Sequence, residues 1–128
     1  MPALYSDILL DHFRHPRNYG SLSSPDISNE QFNPLCGDRI RIELKLEHSK
    51  VNEARFKGDA CAISTAAASL LTELLLGQDV KELNNIPDAR LISALESEIQ
   101  PARLQCALLP LHALREGLKD YKPQHRPS

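Results

Sequence analysis

Hydrophobic and polar side chains alternate strictly between residues 39 and 47. One side of this segment is apolar, with Ile40, Ile42, Leu44 and Leu46, and the other side carries only charged residues. A period of two predicts a strand with one buried face and one face in water. After a short turn, residues 51–57 predict the partner strand of a hairpin, with Ala54 and Phe56 facing inward. Residues 22–32 are a candidate for a third strand.

Helical periodicity marks most of the remaining chain. Helices are predicted over residues 3–15, 62–76, 79–84, 87–96 and about 107–121. The second helix is apolar around a wide arc and has Gly77 at its end, so we expect it to be the central core helix. Pro16 ends the first helix, and Pro110 fits the last helix only in its first turn, which places that helix's start near Cys106. A hairpin followed by helices predicts an α+β fold, with helices packed on one face of a small antiparallel sheet.

Composition and charge narrow the class of protein. A length of 128 residues indicates one domain over residues 1–128, with a flexible tail at 122–128. The chain has 15 basic and 17 acidic residues, and a net charge of -2 argues against a broad basic face for nucleic acid. No apolar run reaches the length of a membrane span, and the N-terminus resembles neither a secretory signal nor a transit peptide. We therefore expect a cytoplasmic protein that binds neither nucleic acid nor membrane.

The three cysteines all lie at the edges of predicted elements. Cys36 is in a loop that leads into the first predicted strand, whereas Cys61 and Cys106 lie just before the central helix and the last helix. Because free N–H groups at a helix N-terminus favour a thiolate, we expect the latter two thiols to ionise readily. An odd number of cysteines in a reducing compartment indicates metal binding or reactive thiols rather than a disulfide framework.

Asp38 adds a carboxylate to these thiols, since it follows Cys36 by two residues and would point the same way in an extended segment. Three thiolates and one carboxylate make a four-ligand set that suits tetrahedral zinc. An iron–sulfur cluster also accepts mainly thiolates, so the donor types alone leave both centres open.

Two other interpretations of the cysteines remain open. Free cysteine is among the most buried residue types, so all three could be structural core residues. A thiol hydrolase would instead need a histidine oriented toward a thiolate. His112 follows Cys106 by six residues, which is about 240° around a helix, so these two side chains diverge.

Four landmarks, taken in this order, make the chain resemble the iron–sulfur cluster assembly scaffold family of IscU, SufU and the N-terminal domain of NifU. They are residues 4–13 with Pro16–Gly20, residues 33–38, residues 56–64, and Cys106 at the start of the last helix. The similarity extends from about Leu4 to Tyr121. It implies an α+β fold in which Cys36, Cys61 and Cys106 gather at one exposed end.

The resemblance also implies a function. The three cysteines would receive sulfur from a cysteine desulfurase and, with Asp38 as the labile ligand, hold a transient [2Fe–2S] cluster or a zinc ion. A scaffold of this kind is not itself an enzyme, and it passes the cluster to apo iron–sulfur proteins. The first sulfur acceptor is Cys106 by resemblance to IscU, or Cys36 by resemblance to SufU.

The chain stands between the two subtypes. IscU-type members have a histidine before the third cysteine, where this chain has Gln105, and residues 99–103 keep only one proline of the Leu-Pro-Pro-Val-Lys segment read by an Hsp70 chaperone. A chaperone interaction is therefore doubtful. SufU members usually carry an insertion for which the 45 residues from Cys61 to Cys106 leave no room. The alternatives are a SufU-like zinc-dependent sulfurtransferase, in which zinc positions a cysteine that takes the persulfide, and a small interaction domain with a structural zinc site.

Overall fold

A three-stranded antiparallel sheet forms one layer of the fold, and helices cover one of its faces. The structure, a computed structural model, describes residues 5–121. The strands are β1 (Ile27–Asn33), β2 (Asp38–Glu47) and β3 (Lys50–Asp59), hydrogen-bonded in that order. The helices are α1 (Asp7–Arg14), α2 (Ala62–Leu75), α3 (Asp88–Ala94) and α4 (Leu104–Asp120), with 3-10 helices at Val80–Asn85 and Pro101–Arg103. This confirms the predicted α+β fold, and β1 is the candidate third strand.

The apolar side of the β2–β3 hairpin forms the centre of the core. Ile42 pairs with Phe56 and Leu44 pairs with Ala54 across the two strands, and all four side chains are buried. Helices α2 and α4 pack over this side of the sheet. Burying an aliphatic or aromatic side chain of this size contributes roughly 1.5–3 kcal/mol. Burial of the apolar side chains that alternate along β2 therefore contributes much of the free energy that stabilises the fold.

Glu43 departs from the expected pattern, because it lies on the charged side of β2 and is nevertheless buried. The backbone N–H of Leu22 donates to Glu43 Oε1 at 2.6 Å, and Arg41 Nε donates to Oε2 at 2.7 Å. Burial raises the pKa of Glu43, but these hydrogen bonds outweigh burial and bring the pKa below its ordinary value. The prediction that this face lies in water was wrong at Glu43, since periodicity identifies a face of the sheet but not the loop that covers it.

Most helix ends lie where the sequence predicts them. Gly77, with a φ of +82°, follows α2, and both short helices after it are confirmed. Helix α1 is shorter than the predicted 3–15 because Ser6 caps it, accepting the Leu9 N–H on its Oγ at 3.0 Å. Residues 3–4 of that prediction, and the predicted flexible tail at 122–128, lie outside the described residues. Of the helices that the structure describes, none is both long and apolar enough to cross a membrane.

Helix α4 begins at Leu104 and has Pro110 in its interior, so the prediction that confined this proline to the first turn was wrong. Proline lacks the N–H that would bond the carbonyl four residues earlier. That carbonyl belongs to Cys106, and its oxygen lies 2.7 Å from the Ser64 hydroxyl, whose single hydrogen is shared between this carbonyl and Asp38 Oδ2, also at 2.7 Å. A tertiary contact thus satisfies the group that Pro110 leaves free. Cys106 is consequently the third residue of α4 rather than the residue before it.

Helix α1 is attached to α2 through the buried side chain of His12. The Ser69 hydroxyl lies 2.7 Å from His12 Nδ1 and accepts the Arg17 backbone N–H at 2.8 Å. Because the hydroxyl hydrogen of Ser69 is left to donate to Nδ1, the geometry fits a neutral imidazole with its proton on Nε2. That nitrogen lies 3.6 Å from a carboxylate oxygen of Glu73.

Acidification is expected to destabilise the fold through His12. Burial and the positive charge of Arg17 lower the pKa of His12, whereas the charges of Glu73 and Asp11 raise it, and the net pKa is below the ordinary value. The unfolded chain therefore binds the proton more readily, so the free energy of unfolding decreases as the pH falls from about 6.5 toward the folded-state pKa. Urea unfolding at several pH values would measure this loss. In a His12→Asn variant, which keeps an acceptor near Nδ1, this part of the pH dependence should disappear; an unchanged dependence would assign it to other groups.

Candidate metal centre

A tight turn between β1 and β2 presents Cys36 at the surface. The Asn33 carbonyl accepts the Gly37 N–H at 2.8 Å, and the Asn33 side-chain oxygen accepts the Leu35 N–H at 3.0 Å. Gly37 has a φ of +76°, which a residue without Cβ adopts at little cost. The turn leaves Leu35 92% exposed and Cys36 accessible, and it delivers Asp38 to the first position of β2.

Cys61 is the N-cap residue of α2. Its Sγ lies 3.5 Å from the Ser64 N–H, which is one of the free donors in the first turn of the helix. The Cys61 backbone N–H donates to Asp38 Oδ1 at 2.9 Å. The predicted position of Cys61 at the start of the central helix is thus confirmed, and its backbone is tied to the predicted carboxylate ligand.

Cys106 approaches from α4 and is 2% exposed. Its Sγ lies 3.2 Å from Cys36 Sγ, and both cysteines are free thiols. The Ser64 hydroxyl connects the elements behind these sulfurs, since its oxygen is 2.7 Å from Asp38 Oδ2 and 2.7 Å from the Cys106 carbonyl. Strand β2, helix α2 and helix α4 therefore meet at one point.

Three of the four predicted ligands come together in this arrangement. One ligand atom from each of Cys36, Asp38 and Cys106 lies within 4.8 Å of the other two. In a tetrahedral zinc site with Zn–S bonds of about 2.3 Å, ligand atoms are roughly 3.8 Å apart, so the spacing and the donor types fit a single ion. Cys61 Sγ is not part of this group, because its side chain caps α2.

Ionisation of Cys106 is disfavoured, contrary to the expectation for a thiol at a helix start. Burial, the hydrogen bond to Cys36 and the charges of the other two cysteines raise the pKa of Cys106 to about 12, while a hydrogen bond with Arg103 opposes the rise. A helix N-terminus contributes only a partial charge, and it cannot offset two sulfur neighbours in a buried position. The expectation that Cys106 ionises readily was therefore wrong for the metal-free chain.

For Asp38, in contrast to Cys106, the surroundings favour the ionised form. Burial raises its pKa, but hydrogen bonds from Ser64, Cys61 and Cys36 together bring the pKa of this carboxyl below its ordinary value. A buried carboxylate that is held ionised by three donors is ready to accept a cation without first losing a proton.

Two site residues, Arg103 and Ser64, were not predicted. Arg103 forms a hydrogen bond with Cys106, so its guanidinium lies beside the sulfurs. This hydrogen bond is the largest cause of a raised pKa of Arg103, and the charges of Cys61 and Cys106 add to it. Ser64 follows the capping cysteine by three residues, a spacing that brings both side chains to the first turn of a helix. That spacing was the available signal, but it could not reveal that Ser64 bonds Asp38 and the Cys106 carbonyl.

Removal of the Ser64 hydroxyl is expected to lower the free energy of unfolding by roughly 1–3 kcal/mol, the cost of leaving buried acceptors without a donor. A Ser64→Ala variant would leave the Cys106 carbonyl without either its helical partner or its tertiary partner. Urea unfolding of the variant and the wild type measures the difference.

A double-mutant cycle with Pro110→Ala provides the matched control. Alanine at position 110 supplies the backbone N–H that the Cys106 carbonyl lacks. The effect of Ser64→Ala should therefore be smaller in the Pro110→Ala background than in the wild type. Additive effects would show that the hydroxyl does not substitute for the missing helical bond.

The two other interpretations of the cysteines fit the geometry less well. Burial would suit Cys106, but Cys36 is exposed beside a turn and therefore is not a core residue. A thiol hydrolase needs a histidine near a thiol, whereas His112 is exposed and His12 is engaged with Ser69. Within residues 5–121, the cluster of candidate ligands contains no histidine.

Comparison with known proteins agrees with the sequence landmarks. The family model described as the NifU-like N-terminal domain matches residues 4–127. The chain is 36% identical to the zinc-dependent sulfurtransferase SufU of Bacillus subtilis, over 92% of this chain and 91% of that protein. It is 33% identical to the iron–sulfur cluster assembly scaffold protein IscU of Azotobacter vinelandii, over 92% of this chain and 94% of that protein. The predicted family resemblance is confirmed.

The alignment lengths distinguish SufU from IscU, and a solved structure supports the fold. The alignment with SufU spans 135 positions, more than the 128 residues of this chain, so SufU has residues that this chain lacks. The alignment with IscU spans 122 positions. A crystal structure of the N-terminal part of a NifU-like protein from Brucella abortus superposes with a TM-score of 0.78, covering 95% of this chain and 96% of that one at 20% identity, which supports the fold alone.

Proposed function

Since the chain belongs to the family of NifU-like N-terminal domains, which includes the IscU and SufU proteins, we propose that it is an iron–sulfur cluster assembly scaffold that takes sulfur from a cysteine desulfurase. Iron and sulfide are then its cargo, assembled as a [2Fe–2S] cluster on Cys36, Asp38, Cys61 and Cys106 and passed on to apo iron–sulfur proteins. The observation that carries this proposal is the approach of two thiols and a carboxylate from separate elements to within 4.8 Å of one another.

The exposures of the thiols suit the order of events. A desulfurase must bring its own persulfide into contact with the acceptor sulfur, so the first acceptor has to be reachable. Cys36 lies at the tip of a surface turn, whereas Cys106 is 2% exposed. We therefore assign the first sulfur to Cys36 and a later step to Cys106.

Asp38 gives the site a ligand that differs from the thiolates. A carboxylate is a harder donor than a thiolate and binds a cluster iron less firmly. Two neighbours, the Cys61 N–H and the Ser64 hydroxyl, hold the carboxylate in place when it is not bound to the cargo. The same hydrogen bonds would stabilise it after the cargo leaves, which favours release.

A zinc-dependent sulfurtransferase is the second candidate. The observation in its favour is the sequence: SufU is 36% identical, and Gln105 stands where IscU-type members have a histidine before the last cysteine. Zinc fits the same donor set, and when bound it would supply a Lewis acid that keeps thiolates ionised at neutral pH. Cys36, Asp38, Cys61 and Cys106 would hold the ion, and Cys36 would accept the sulfur.

Air-free purification followed by analysis of zinc, iron and acid-labile sulfide separates the candidates. The protein is then incubated with iron, cysteine and a cysteine desulfurase. A scaffold should develop visible charge-transfer absorption with iron and sulfide in equal amounts. A colourless protein that keeps its zinc and increases desulfurase turnover would instead be a sulfurtransferase. If zinc removal unfolds the chain and no sulfur reaches any cysteine, the zinc is structural and both candidates are wrong.

A further inference from the structure

Cys36 and Cys106 form a pair of sulfurs in direct contact, one at the surface and one in the interior. The two Sγ atoms are 3.2 Å apart, with the Cys106 thiol donating toward the Cys36 sulfur. Cys36 is exposed and Cys106 is 2% exposed, and no disulfide joins them. A sulfur that arrives from outside can therefore attach to Cys36 while Cys106 already touches the atom to which it is attached.

We propose that Cys106 acts as a resolving thiol, so that the chain itself converts a sulfane sulfur on Cys36 into free sulfide. The inference rests on the proposed function, because the sulfane sulfur must first reach Cys36. The contact between the two Sγ atoms places Cys106 against the inner sulfur of a Cys36 persulfide, which is the atom that must be attacked for sulfide to leave.

The step balances without an outside oxidant. The Cys106 sulfur forms a bond with Cys36 Sγ, and the bond from Cys36 Sγ to the outer sulfur breaks. The outer sulfur departs with that electron pair as hydrosulfide and takes up the proton of the Cys106 thiol, which leaves only as the new bond forms because the raised pKa of Cys106 disfavours a free thiolate beforehand. Two cysteine sulfurs are oxidised to a disulfide, and the sulfane sulfur is reduced to sulfide. An external thiol then reduces the disulfide and restores the site.

Packing favours this outcome over transfer of the outer sulfur to Cys106. Cys36 is exposed, so an outer sulfur on it can extend into solvent and leave. A persulfide on Cys106 would instead place an additional sulfur atom at a position that is 2% exposed, where extra volume forces neighbours to shift. Sulfide is also the form in which sulfur enters a cluster, so its release beside Asp38 would supply the proposed assembly.

Cys61 is less suited to the resolving role. Its Sγ caps α2 at 3.5 Å from the Ser64 N–H and lies outside the group formed by the other thiols and Asp38. Reaching Cys36 would require it to give up this cap. The disulfide should therefore link Cys36 with Cys106.

The test loads the purified full chain with sulfane sulfur from inorganic polysulfide, removes excess polysulfide by rapid desalting, and follows sulfide release without added thiol. Wild-type protein should release sulfide in the same amount as the disulfide it forms, and peptide mass spectrometry should identify Cys36 linked to Cys106. Cys106→Ser should keep the persulfide on Cys36 and slow release by about a hundredfold or more, because an intramolecular thiol has a high effective concentration. Cys106→Ala, which buries no hydroxyl, repeats the measurement if the serine variant misfolds.

Two results would overturn the inference: wild-type protein that keeps its persulfide or moves it to Cys106 without sulfide release, or Cys106 variants that release sulfide as fast as the wild type. A parallel experiment with a desulfurase and cysteine in place of polysulfide tests the proposed function separately. If the desulfurase fails to load Cys36 while the polysulfide-loaded chain still forms the disulfide, the proposed function is wrong and the inference stands. If the desulfurase loads Cys36 and no disulfide follows, the inference is wrong and the proposed function stands.

Discussion

Replacing Gly58 with alanine is expected to lower the free energy of unfolding by about 4 kcal/mol or more, a large fraction of the 5–15 kcal/mol typical of a folded domain. Gly58 lies opposite Ile40 in the β2–β3 ladder and has a φ of +153°. A Cβ at this position would be 1.9 Å from the backbone oxygen of Arg39. No side-chain rotation relieves a contact with backbone, so the two strands would have to separate.

The separation would also affect the candidate metal centre. The end of the hairpin that Gly58 occupies carries Asp38 at the start of β2 and leads into Cys61 after β3. Any folded fraction of Gly58→Ala should therefore lose the hydrogen bond from the Cys61 N–H to Asp38 Oδ1, and with it affinity for zinc. Urea unfolding monitored by circular dichroism gives the stability, and zinc content after chelator challenge gives the affinity.

Gly20 provides a matched control, because its φ of +140° is close to that of Gly58 and its missing side chain faces open space, with no atom within 4 Å of an added Cβ. Gly20→Ala keeps the N–H that donates to the Phe56 carbonyl at 2.8 Å. Its cost should be only that of the strained backbone conformation, roughly 1–3 kcal/mol. Equal losses in the two variants would show that the contact with Arg39 is relieved cheaply and that conformation alone matters.

The parts of the fold that local patterns control were predictable from the sequence. The alternation from Ile40 to Leu46 identifies the strand and its buried side, because side chains on a strand point to opposite faces by geometry. Cys61 at the start of α2 was predictable for a similar reason, since the helix-forming run from Ala62 has a clear beginning. In both cases, neighbouring residues in the sequence contain the whole cause.

The parts that depend on distant residues were not predictable from local pattern. The carbonyl that Pro110 leaves without a helical donor lies 2.7 Å from the Ser64 hydroxyl of another helix, and no rule of helix propensity includes such a contact. The high pKa of Cys106 arises from burial and from two cysteines that are distant in sequence. The burial of Glu43 requires a loop residue, Leu22, to donate its N–H. Each of these exceptions arises from tertiary contacts or burial that no local pattern in the sequence contains.

For Cys61, the fourth expected ligand, the sequence and the structure give different answers. The sequence resemblance implies Cys61 as a ligand, while the geometry of residues 5–121 places only Cys36, Asp38 and Cys106 in one group. We expect rotation of the Cys61 side chain away from its capping position to bring a third thiolate to the site at the expense of two weak contacts with Ser64, one from its N–H at 3.5 Å and one with its hydroxyl at 3.6 Å. Because a thiolate–zinc bond is much stronger than such a contact, we expect Cys61 to join the ligands when metal binds.

Cys61→Ser is therefore expected to separate metal binding from folding. Serine is among the preferred N-cap residues, so the variant should keep α2 capped and show unchanged or slightly higher stability without metal. Asp38 would still accept the backbone N–H of residue 61, since that bond does not involve the side chain. Affinity for zinc should nevertheless fall on the order of a hundredfold or more, given that loss of even an outer hydrogen-bond partner costs 10–100-fold.

Competition with a chromophoric chelator measures the affinity, and Cys61→Ala serves as the matched control. Alanine removes both the ligand and the cap, so it should show the same loss of zinc affinity together with a stability loss of about 1 kcal/mol. If Cys61→Ser binds zinc as tightly as the wild type, Cys61 is a capping residue only, and the ion has three protein ligands. If both variants lose stability equally, the capping contact with Ser64 is not what Cys61 contributes to the metal-free fold.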